Sequence, residues 1–428
     1  MNRRVAFKTL GCRLNQSETD SLLTDFYKAN YEIVGFNDNA DVYIINTCTV
    51  TNQSDHKSKT IINQACKRDG SPVIVVTGCM ADNQKEDLGI RNNITYIVPN
   101  RTKSAIFSLI DSHFKGEIMN PDSMKEGLFN FSVAEKSFHT RSFIKINDGC
   151  NNSCSYCIVP KVRGKAISRP PGDILDNIRK VVDLGYKEVV LTGVNISCYN
   201  FDNVNFEDLI ERVLNVPGDF RVRISSLEPE GFGEKLVALF DNPKLCTHLH
   251  LCLQSGSDNI LMKMKRVYNL ESYLKIIELL KSKCPDINFT TDIIVGFPGE
   301  SDKDFLDSCK VIKDVGFSHV HTFKYSIRKG TFAEHFPEHV PENVKAERSK
   351  KIREISDENK LAYRKSIITK TQRVLVEKIT KEGQAMGYGE NYVPVIFNSE
   401  DCIINSFKMV RISGITEANN MVLNGNTI

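Results

Sequence analysis

The first third of the chain alternates short hydrophobic strands with helical stretches, and this alternation restricts the fold more than any other feature. Strand-like segments occupy residues 4–11, 41–48, 72–79 and 94–99. Helical stretches such as 18–29 and 55–68 separate them. Short Val- and Ile-rich strands that alternate with helices form βαβ units, which build a parallel sheet. We therefore predict an α/β fold whose N-terminal part, residues 1–120, is a parallel-sheet βαβ domain.

A second alternation of strands and helices follows a stretch, residues 115–137, that lacks this rhythm. Six further strand-like segments occupy residues 142–147, 188–195, 221–228, 248–255, 287–296 and 319–327. Because eight βα units close a full barrel, about six units predict a partial (βα)6 barrel that is open on one side. We place this central domain at residues 136–366.

The tail of the chain, residues 371–428, changes character again. Its short strand-like segments are separated by Gly, Asn and Asp, and the helical pattern is weak there. This pattern predicts a small β-barrel of the oligonucleotide-binding kind. A length of 428 residues is consistent with three domains.

The composition is that of a globular protein in a reducing compartment. The chain is 41% hydrophobic and 25% charged, and it has no apolar run long enough to span a bilayer. Its N-terminus carries two arginines but lacks the apolar segment of a signal peptide, so we expect a cytoplasmic protein without a membrane partner. Thirteen cysteines in such a compartment favour metal or redox chemistry over disulfides.

Three of the cysteines follow predicted strands of the N-terminal sheet. Cys12, Cys48 and Cys79 end the segments TLGC, INTC and VTGC. The carboxyl ends of parallel strands meet at one edge of a sheet, so these thiols are expected to converge despite their separation in sequence. We predict a metal cluster at this edge; the alternative is three separately buried thiols.

A second set of three cysteines lies in DGCNNSCSYC, just after the first predicted barrel strand. Cys150, Cys154 and Cys157 are spaced closely enough to surround one metal centre. Structural zinc usually takes four ligands, whereas an iron–sulfur cluster held by three thiolates leaves one iron free to bind another molecule. An open position of this kind indicates a catalytic cluster. The remaining cysteines have no partner spacing and are expected to be small buried residues: Cys66, Cys198, Cys246, Cys252, Cys284, Cys309 and Cys402.

The C-x3-C-x2-C spacing, with an aromatic residue before the last cysteine and a partial barrel around it, resembles the radical S-adenosylmethionine (SAM) superfamily. The resemblance implies that Cys150, Cys154 and Cys157 hold a 4Fe–4S cluster whose unique iron binds SAM. It also implies that an electron from the cluster splits SAM to a 5′-deoxyadenosyl radical. The three cysteines would then be catalytic through the cluster.

The LGC, NTC and TGC cysteines, the barrel and the small β domain together resemble the methylthiotransferase family over nearly the whole chain. The resemblance implies that Cys12, Cys48 and Cys79 hold a second 4Fe–4S cluster that carries or donates sulfur. This cluster would lie across a cleft from the cluster that binds SAM. It identifies the tail as a TRAM-like, RNA-binding β-barrel. One departure from the family pattern is Lys161, where an aromatic residue commonly follows the proline.

Within that family, the stretches TLGCRLNQSET, INTCTVTNQSDHKSK and GCNNSCSYCIVPKVRGK are most similar to one subgroup. Its members convert threonylcarbamoyladenosine next to the tRNA anticodon, at position 37, to the 2-methylthio derivative. Two other subgroups remain as alternatives, one acting on isopentenyladenosine in tRNA and one on an aspartate of a ribosomal protein. A non-enzymatic alternative is a zinc-binding RNA adaptor. For the enzyme, the implied partners are the tRNA anticodon stem-loop, a flavodoxin- or ferredoxin-type electron donor and a sulfur donor.

The resemblance also indicates candidate SAM-binding residues near the ends of barrel strands. Tyr156 would lie on the adenine, while Gly193 and Asn195 occupy the place where many relatives carry a Gly-Gly-Glu motif. The candidates on the following strands are Ser225, Glu228, Gln254 and Asp292. For each of these residues, packing or capping is the alternative role.

Candidate RNA contacts are of two kinds. Arg163, Lys165 and Arg169 follow the cysteine loop and are candidates for contacts with the phosphates of the anticodon stem. Tyr388 and Tyr392 in the tail are candidates for stacking on bases, with packing in a hairpin as the alternative. The stretch 345–370 carries nine Lys or Arg and four acidic residues, which indicates a solvated helix face or a phosphate-facing surface.

Overall fold

The computed structural model of the protein describes residues 2–91, 93–135, 137, 139–230, 233–398, 403–416 and 421–428. Cys402 and residue 136, the expected start of the central domain, lie outside these ranges.

The N-terminal part of the chain forms a parallel five-stranded sheet. Its strands are β1 (Arg4–Thr9), β2 (Glu32–Val34), β3 (Val42–Thr47), β4 (Val73–Gly78) and β5 (Tyr96–Val98). Its helices are α1 (Arg13–Lys28), α2 (Asn52–Cys66), α3 (Cys79–Asn83), α4 (Lys85–Gly89) and α5 (Ile106–Phe114). The spatial order is β2-β1-β3-β4-β5 and every pair is parallel. Alternate residues of the central strands enter two separate cores, Ile44 on one face and Tyr43 on the other, which confirms the predicted βαβ sheet.

The central part is a partial barrel. Its strand segments are β6 (Ser142–Lys145), β7 (Asn147–Asp148), β8 (Ile167–Ser168), β9 (Glu188–Thr192), β10 (Asn200–Phe201), β11 (Val204–Asn205), β12 (Arg221–Ile224), β13 (Ser226–Leu227), β14 (His248–Leu251), β15 (Asn288–Val295) and β16 (His319–Lys324). Parallel pairing joins β6-β9-β12 and β13-β14-β15-β16. Only Ser225 separates β12 from β13, so the segments form six parallel strands. No pairing joins β6 to β16 among the residues described, and the barrel is therefore open on that side.

Helices cover the outside of this barrel, and two antiparallel ribbons, β7-β8 and β10-β11, decorate it. The helices are α6 (Val159–Arg163), α7 (Pro171–Asp183), α8 (Phe206–Leu214), α9 (Glu234–Leu239), α10 (Asp258–Lys263), α11 (Leu270–Lys283), α12 (Asp302–Val315) and α13 (Glu342–Ser366). Short 3-10 helices occupy Asn100–Ala105, Pro121–Ser123, Ile196–Cys198 and Phe332–His335. Helix α1 of the N-terminal sheet packs along the edge strand β6, where Ser17 Oγ donates a 2.9 Å hydrogen bond to the Phe143 carbonyl.

The tail forms a closed five-stranded barrel, as the TRAM-like expectation requires. Its strands are β17 (Thr371–Ile379), β18 (Ala385–Tyr388), β19 (Pro394–Asn398), β20 (Phe407–Ile415) and β21 (Leu423–Thr427), in the order β17-β18-β19-β21-β20. Arg221, at the start of β12, donates a 3.1 Å hydrogen bond to the Tyr388 carbonyl. Asn288, at the start of β15, donates one of 2.8 Å to the Asn391 carbonyl. The small barrel therefore covers the amino ends of the central strands, opposite the cysteine loop.

The basic stretch at 345–370 lies mostly on α13 and is not a uniform surface. Lys345 and Arg348 are buried, and Arg348 forms a 2.6 Å ion pair with Glu300. These two positions therefore have an internal role in place of the expected solvated or phosphate-facing one. Among the helices described, none combines the length and the apolar composition needed to cross a membrane.

Candidate active site

Cys12, Cys48 and Cys79 converge at the carboxyl edge of the N-terminal sheet. Cys12 precedes α1, Cys48 follows β3, and Cys79 is the first residue of α3. Burial raises the pKa of Cys79 to about 11; Arg163 opposes this shift, and the nearby thiols of Cys12 and Cys48 add to it. The thiols are thus close enough to affect one another's ionisation, and Cys12 remains exposed.

The glycines that precede Cys12 and Cys79 are required because the end of the neighbouring strand approaches each of them closely. Gly11 has φ +90°, and a Cβ at that position would lie 2.7 Å from Cys48 Cβ. Gly78 has φ +93°, and a Cβ there would lie 2.3 Å from the Thr47 carbonyl oxygen. Side chains at either position would push the three loops apart, because real Cβ atoms do not approach this closely. The glycines therefore allow the thiols to converge.

Cys150, Cys154 and Cys157 form the second group, in the loop between the ribbon strand β7 and helix α6. The Cys157 amide donates a 3.1 Å hydrogen bond to the Cys154 carbonyl, and the Cys150 amide donates one of 3.1 Å to the Gly164 carbonyl. Burial raises the pKa of Cys157 to about 12, and the thiols of Cys154 and Cys150 contribute in the same direction. The loop thus folds back on itself and gathers its three thiols.

Arg266 links this loop to the candidate residue Glu228. Its guanidinium donates a 3.2 Å hydrogen bond to Cys154 Sγ and forms an ion pair with the Glu228 carboxylate. A cation beside a thiolate favours metal binding, because groups behind a ligand fix its orientation and charge. Any effect of Glu228 on the cysteine loop therefore passes through Arg266.

The two cysteine groups are close neighbours in space. Cys79 packs in one apolar cluster with Ile158, the residue after Cys157, and with Val162 of α6. Between the two loops lies a buried ionic network. Glu18 accepts from Lys103 at 2.5 Å, from Lys145 at 2.9 Å and from Arg163 at 3.2 Å. Arg163 and Lys145 also pair with Asp148, at 3.0 and 2.6 Å.

Replacing Glu18 by Gln should therefore destabilise the fold by about 3 to 5 kcal/mol, because three buried cations would share only one carboxylate. Burial alone would raise the pKa of Glu18, but Arg163, Lys103 and Lys145 lower it well below its ordinary value. The stabilisation is therefore present above the unfolded pKa of about 4.3 and is lost as the pH falls through the folded pKa. Urea unfolding of both proteins at pH 7, about pH 4 and about pH 3 measures this difference, which should still be large near pH 4 and should become smaller near pH 3.

The matched control is Glu135→Gln, which breaks the exposed 2.6 Å pair between Lys28 and Glu135. Its expected cost is below about 1 kcal/mol, because water screens exposed pairs. Equal stability losses for the two variants would contradict the structural role assigned to Glu18.

Of the candidate SAM-binding residues near the second and third barrel strands, Asn195 contacts Cys150. Asn195 Nδ2 lies 3.9 Å from Cys150 Sγ, and its Oδ1 is buried without a hydrogen-bond partner in the described part of the chain. Gly193 allows the Asn147 side chain to pack closely, because a Cβ at that position would lie 1.8 Å from Asn147 Oδ1. Ser225 is buried between β12 and β13. The unpaired buried amide oxygen of Asn195 fits a polar ligand.

The remaining SAM-binding candidates lie around a separate cavity. Tyr156, Gln254 and Asp292 line one cavity of about 190 Å³ together with Cys157. The Tyr156 ring packs edge-on against Phe297, with ring centroids 6.3 Å apart. Asp292 accepts from His250 Nε2 at 3.3 Å; burial opposes ionisation, but His250 lowers the pKa of this carboxyl.

A larger cavity of about 920 Å³ runs through the interior of the partial barrel, and Asp292 lines both this cavity and the smaller one that contains Cys157. Cys12 lines the larger cavity from the N-terminal sheet, and Gly193, Ser225 and Asp292 line it from the barrel strands. Tyr392 of the small barrel also lines it, and its ring centroid lies 5.9 Å from the guanidinium carbon of Arg13. A cavity of this size accommodates a modified nucleoside, within the usual range for ligand pockets.

Among the candidate RNA contacts, only Lys165 is fully exposed. Arg163 is buried in the ionic network with Glu18 and Asp148, so the expectation that it meets phosphates is wrong for this structure. Arg169 is half-buried and donates a 3.0 Å hydrogen bond to Asn177.

The tyrosines of the tail also differ from the expectation. Tyr388 and Tyr392 stack on each other with ring centroids 4.8 Å apart, and the Arg223 guanidinium lies 3.8 Å from the Tyr392 centroid. Tyr392 therefore has no free face for a base. It packs between the small barrel and the cavity, as the hairpin-packing alternative predicted.

The sequence reasoning missed three arginines of the site. Arg266 follows α10 and lies 112 residues from Cys154, so no local spacing marks it. Arg13 directly follows Cys12, and this adjacency was an available signal. Arg223 alternates with hydrophobic residues in RVRI, where two inward arginines on a buried strand indicate an internal charged site. Of the cysteines without partner spacing, Cys246, Cys252 and Cys309 are buried as expected, whereas Cys66, Cys198 and Cys284 are only half-buried.

Comparisons with known proteins agree with this architecture. Residues 144–312 match the radical SAM superfamily, and residues 4–98 match the uncharacterized protein family UPF0004. A threonylcarbamoyladenosine tRNA methylthiotransferase, MtaB, from Bacillus subtilis is 35% identical over 422 residues, which is 95% of this chain and 93% of that protein. The chain belongs to the methylthiotransferase family of radical SAM enzymes.

A second member of the family is similar over the same span. The tRNA-2-methylthio-N(6)-dimethylallyladenosine synthase of Clostridium botulinum (strain Langeland) is 33% identical and covers 98% of this chain and 96% of its own. Among solved structures, the radical SAM methyltransferase TsrM from Kitasatospora setae has a TM-score of 0.54 at 14% identity, covering 76% of this chain and 75% of its own. That similarity concerns the fold alone.

As a methylthiotransferase, the protein uses SAM and two 4Fe–4S clusters. The residues present fit these groups. Two sets of three thiols lie at strand ends on neighbouring domains, and each set lacks a fourth protein thiol of matching spacing. Glu230 Oε1 and Asn195 Oδ1, both buried without a partner among the described residues, offer polar contacts near the barrel loop.

Proposed function

We propose that this enzyme converts threonylcarbamoyladenosine at position 37 of tRNA to its 2-methylthio derivative. The observation that carries the proposal is that Cys12 lines the large cavity and Cys157 lines the smaller one, with Asp292 in the walls of both. The chain is also 35% identical over 95% of its length to a methylthiotransferase named for that nucleoside. Acting on tRNA, the enzyme would work in the cytoplasm.

The six cysteines divide between the two clusters according to their position. Cys150, Cys154 and Cys157 would hold the cluster that binds SAM, and Cys12, Cys48 and Cys79 would hold the second cluster. When bound, SAM supplies a radical able to remove a hydrogen atom from carbon 2 of adenine. No side-chain base can remove a proton from this carbon.

The chain's own residues would bind and orient the reactants. Arg266 keeps positive charge beside Cys154, and Asn195 and Glu230 offer unpaired oxygens to the amino group of the cofactor. Exposed Cys12 brings the second group to the cavity wall. Tyr156, Gln254 and Asp292 would line the adenosine side of the cofactor.

The reaction replaces a hydrogen by a methylthio group, so it consumes sulfur, electrons and a methyl group, the last of which the sulfonium of a SAM molecule would supply. The chain holds no sulfur beyond its side chains and must receive both sulfur and electrons from partners. We assign these roles to a sulfur donor and to a flavodoxin- or ferredoxin-type electron donor. The anticodon stem-loop is the nucleic-acid partner, with Lys165 as the exposed candidate for a phosphate contact.

Deleting the gene should remove 2-methylthio-threonylcarbamoyladenosine from tRNA and leave its unthiolated precursor in place. Mass spectrometry of nucleosides from the deletion strain, with and without a plasmid copy, measures this change. Loss of the 2-methylthio-isopentenyl nucleoside instead would assign the enzyme to that subgroup. Unchanged tRNA nucleosides together with an altered ribosomal-protein aspartate would assign it to the third subgroup.

Anaerobically purified protein should contain about eight iron atoms per chain, as two 4Fe–4S clusters require. Iron and zinc analysis of the same sample measures this directly. Bound zinc without iron and without colour would support the RNA adaptor alternative and exclude the enzyme.

A further inference from the structure

Three arginines surround Tyr392 at the end of the large cavity that lies nearest the small barrel. The guanidinium carbon of Arg223 lies 3.8 Å from the Tyr392 ring centroid, that of Arg141 lies 5.2 Å away and that of Arg13 lies 5.9 Å away. The three come from different elements, β12, the residue before β6 and the start of α1. All three line the cavity.

Arg223 is the most constrained of the three. It is 1% exposed, and its Nε donates a 3.0 Å hydrogen bond to Glu188 Oε1. Both of its terminal nitrogens, Nη1 and Nη2, are buried and have no hydrogen-bond partner among the described residues. A buried guanidinium with two unpaired nitrogens is costly, because it has lost its water without gaining an acceptor. The missing acceptor is therefore expected to be a ligand.

The local carboxylates do not balance the positive charge. Glu188 pairs with Arg221 at 2.6 Å and with Arg223 at 3.0 Å, and it lies 3.8 Å from Arg141. Arg141 also pairs with Glu377. Arg13 forms no ion pair within the described part of the chain, and burial together with Arg223 lowers its pKa to about 10. Four guanidinium groups thus share two carboxylates.

The excess positive charge belongs to the arginines and not to neighbouring histidines. Burial, with Arg223 and Arg13, lowers the pKa of His248 well below its ordinary value, so this ring is neutral. Burial lowers the pKa of His319 to about 4 for the same kind of reason. The same positive charge affects the pKa of the Tyr392 phenol. Burial would raise this pKa, but Arg223, Arg141 and Arg13 lower it.

We propose that Arg223 and Arg13 form an anion subsite that binds the carboxylate of the amino-acid substituent on the substrate adenosine. The inference rests on the proposed function and identifies what distinguishes its substrate. A threonylcarbamoyl group ends in a carboxylate, whereas an isopentenyl group is apolar and would leave the buried guanidinium unpaired. Arginine suits this role because its planar fork holds a carboxylate through two hydrogen bonds.

The subsite lies in the same cavity as Cys12 of the N-terminal cysteine group. Arg13 directly follows Cys12, so one end of the cavity joins the sulfur-bearing loop to the anion subsite. Tyr392 closes the site from the small barrel, and its ring face attracts the Arg223 guanidinium through a cation–π contact. A phosphate of the RNA is the other anion to consider. The deep burial of Arg223 favours a small group carried on the base over a backbone phosphate.

The test compares two anticodon stem-loop RNAs that differ only in this group. One carries threonylcarbamoyladenosine at position 37, and the other carries the same nucleoside with its carboxylate converted to a primary amide. Binding to the reconstituted holoenzyme is measured by fluorescence anisotropy at fixed salt, and KM and kcat for methylthiolation are measured separately. Wild type should bind the acid roughly 10- to 100-fold more tightly than the amide, the range for hydrogen bonds to charged groups.

Arg223→Met should reduce that preference to within about threefold, through weaker binding of the acid RNA and a higher KM, with affinity for the amide RNA unchanged. Arg13→Gln, at the half-buried first position of α1, should reduce the preference in part and serves if Arg223→Met folds poorly. Lys360→Gln is the matched control, since Lys360 also lines the cavity but is already paired with Asp357 at 2.9 Å. It should keep the full preference.

Each contrary outcome has its own meaning. If both arginine variants keep the preference, or weaken the two RNAs equally, the arginines do not bind the carboxylate and the proposal is overturned. If wild type methylthiolates acid and amide with equal kcat/KM, the subsite fails while the proposed function stands. If wild type acts on isopentenyladenosine RNA and not on either of these, the proposed function itself fails.

Discussion

Replacing Cys154 by Ala should abolish the formation of 5′-deoxyadenosine and, with it, all methylthiolation. Two thiols would remain in the barrel loop, too few to hold a cluster that already relies on three. The substitution also removes the sulfur that accepts the hydrogen bond from Arg266, at 3.2 Å, and leaves that guanidinium with Glu228. Even changes to groups behind a metal ligand cost 10- to 100-fold, so loss of a ligand should exceed roughly 100-fold.

The measurement is anaerobic incubation of the reduced enzyme with SAM, followed by chromatography of 5′-deoxyadenosine. Iron content provides a readout that does not depend on activity, and it should fall from about eight to about four atoms per chain. Cys309→Ala is the matched control, because Cys309 is a buried cysteine of the same domain that lies in the helix-covered core. It should keep full iron and full product. Normal 5′-deoxyadenosine from Cys154→Ala would remove Cys154 from the cluster ligands.

Much of the fold follows from local sequence because its elements are periodic. The strands that precede Cys12, Cys48 and Cys79 are short apolar segments, and a parallel sheet places their ends together whatever the rest of the chain does. The same argument predicts the barrel loop of Cys150, since it follows the first strand. The closed five-stranded tail was predictable from its Gly- and Asn-punctuated strands.

The charged parts of the site were less predictable, because their roles depend on which distant group each side chain meets. As a basic residue after a cysteine loop, Arg163 was predicted to contact phosphates. In the structure it is buried because it pairs at 3.2 Å with Glu18, which is 145 residues earlier in the chain. Tyr392 reads as an exposed aromatic, yet Tyr388 and Arg223 occupy its two faces. Such pairings arise from contacts between domains, which no periodicity within one segment encodes.

Replacing Cys48 by Ala should separate methylthiolation from the cleavage of SAM. Methylthiolation should be lost, while cleavage of SAM to 5′-deoxyadenosine should persist in part. The physical reason is that Cys48 belongs to the other loop. It is fixed by Ser58, whose hydroxyl donates a 2.8 Å hydrogen bond to the Cys48 carbonyl. Iron should fall to about four atoms per chain, and these should be the ones that support SAM cleavage.

Cys66→Ala is the control, since Cys66 is a half-buried cysteine at the end of α2 in the same domain. It should keep both activities and full iron. Retained methylthiolation in Cys48→Ala would exclude this cysteine from the second cluster. Equal loss of both activities would mean instead that the loops fail together, through the shared contact of Cys79 with Ile158. Partial SAM cleavage without methylthiolation is thus the pattern expected if Cys12, Cys48 and Cys79 serve the sulfur step, and Cys154→Ala cannot produce it because that variant stops earlier.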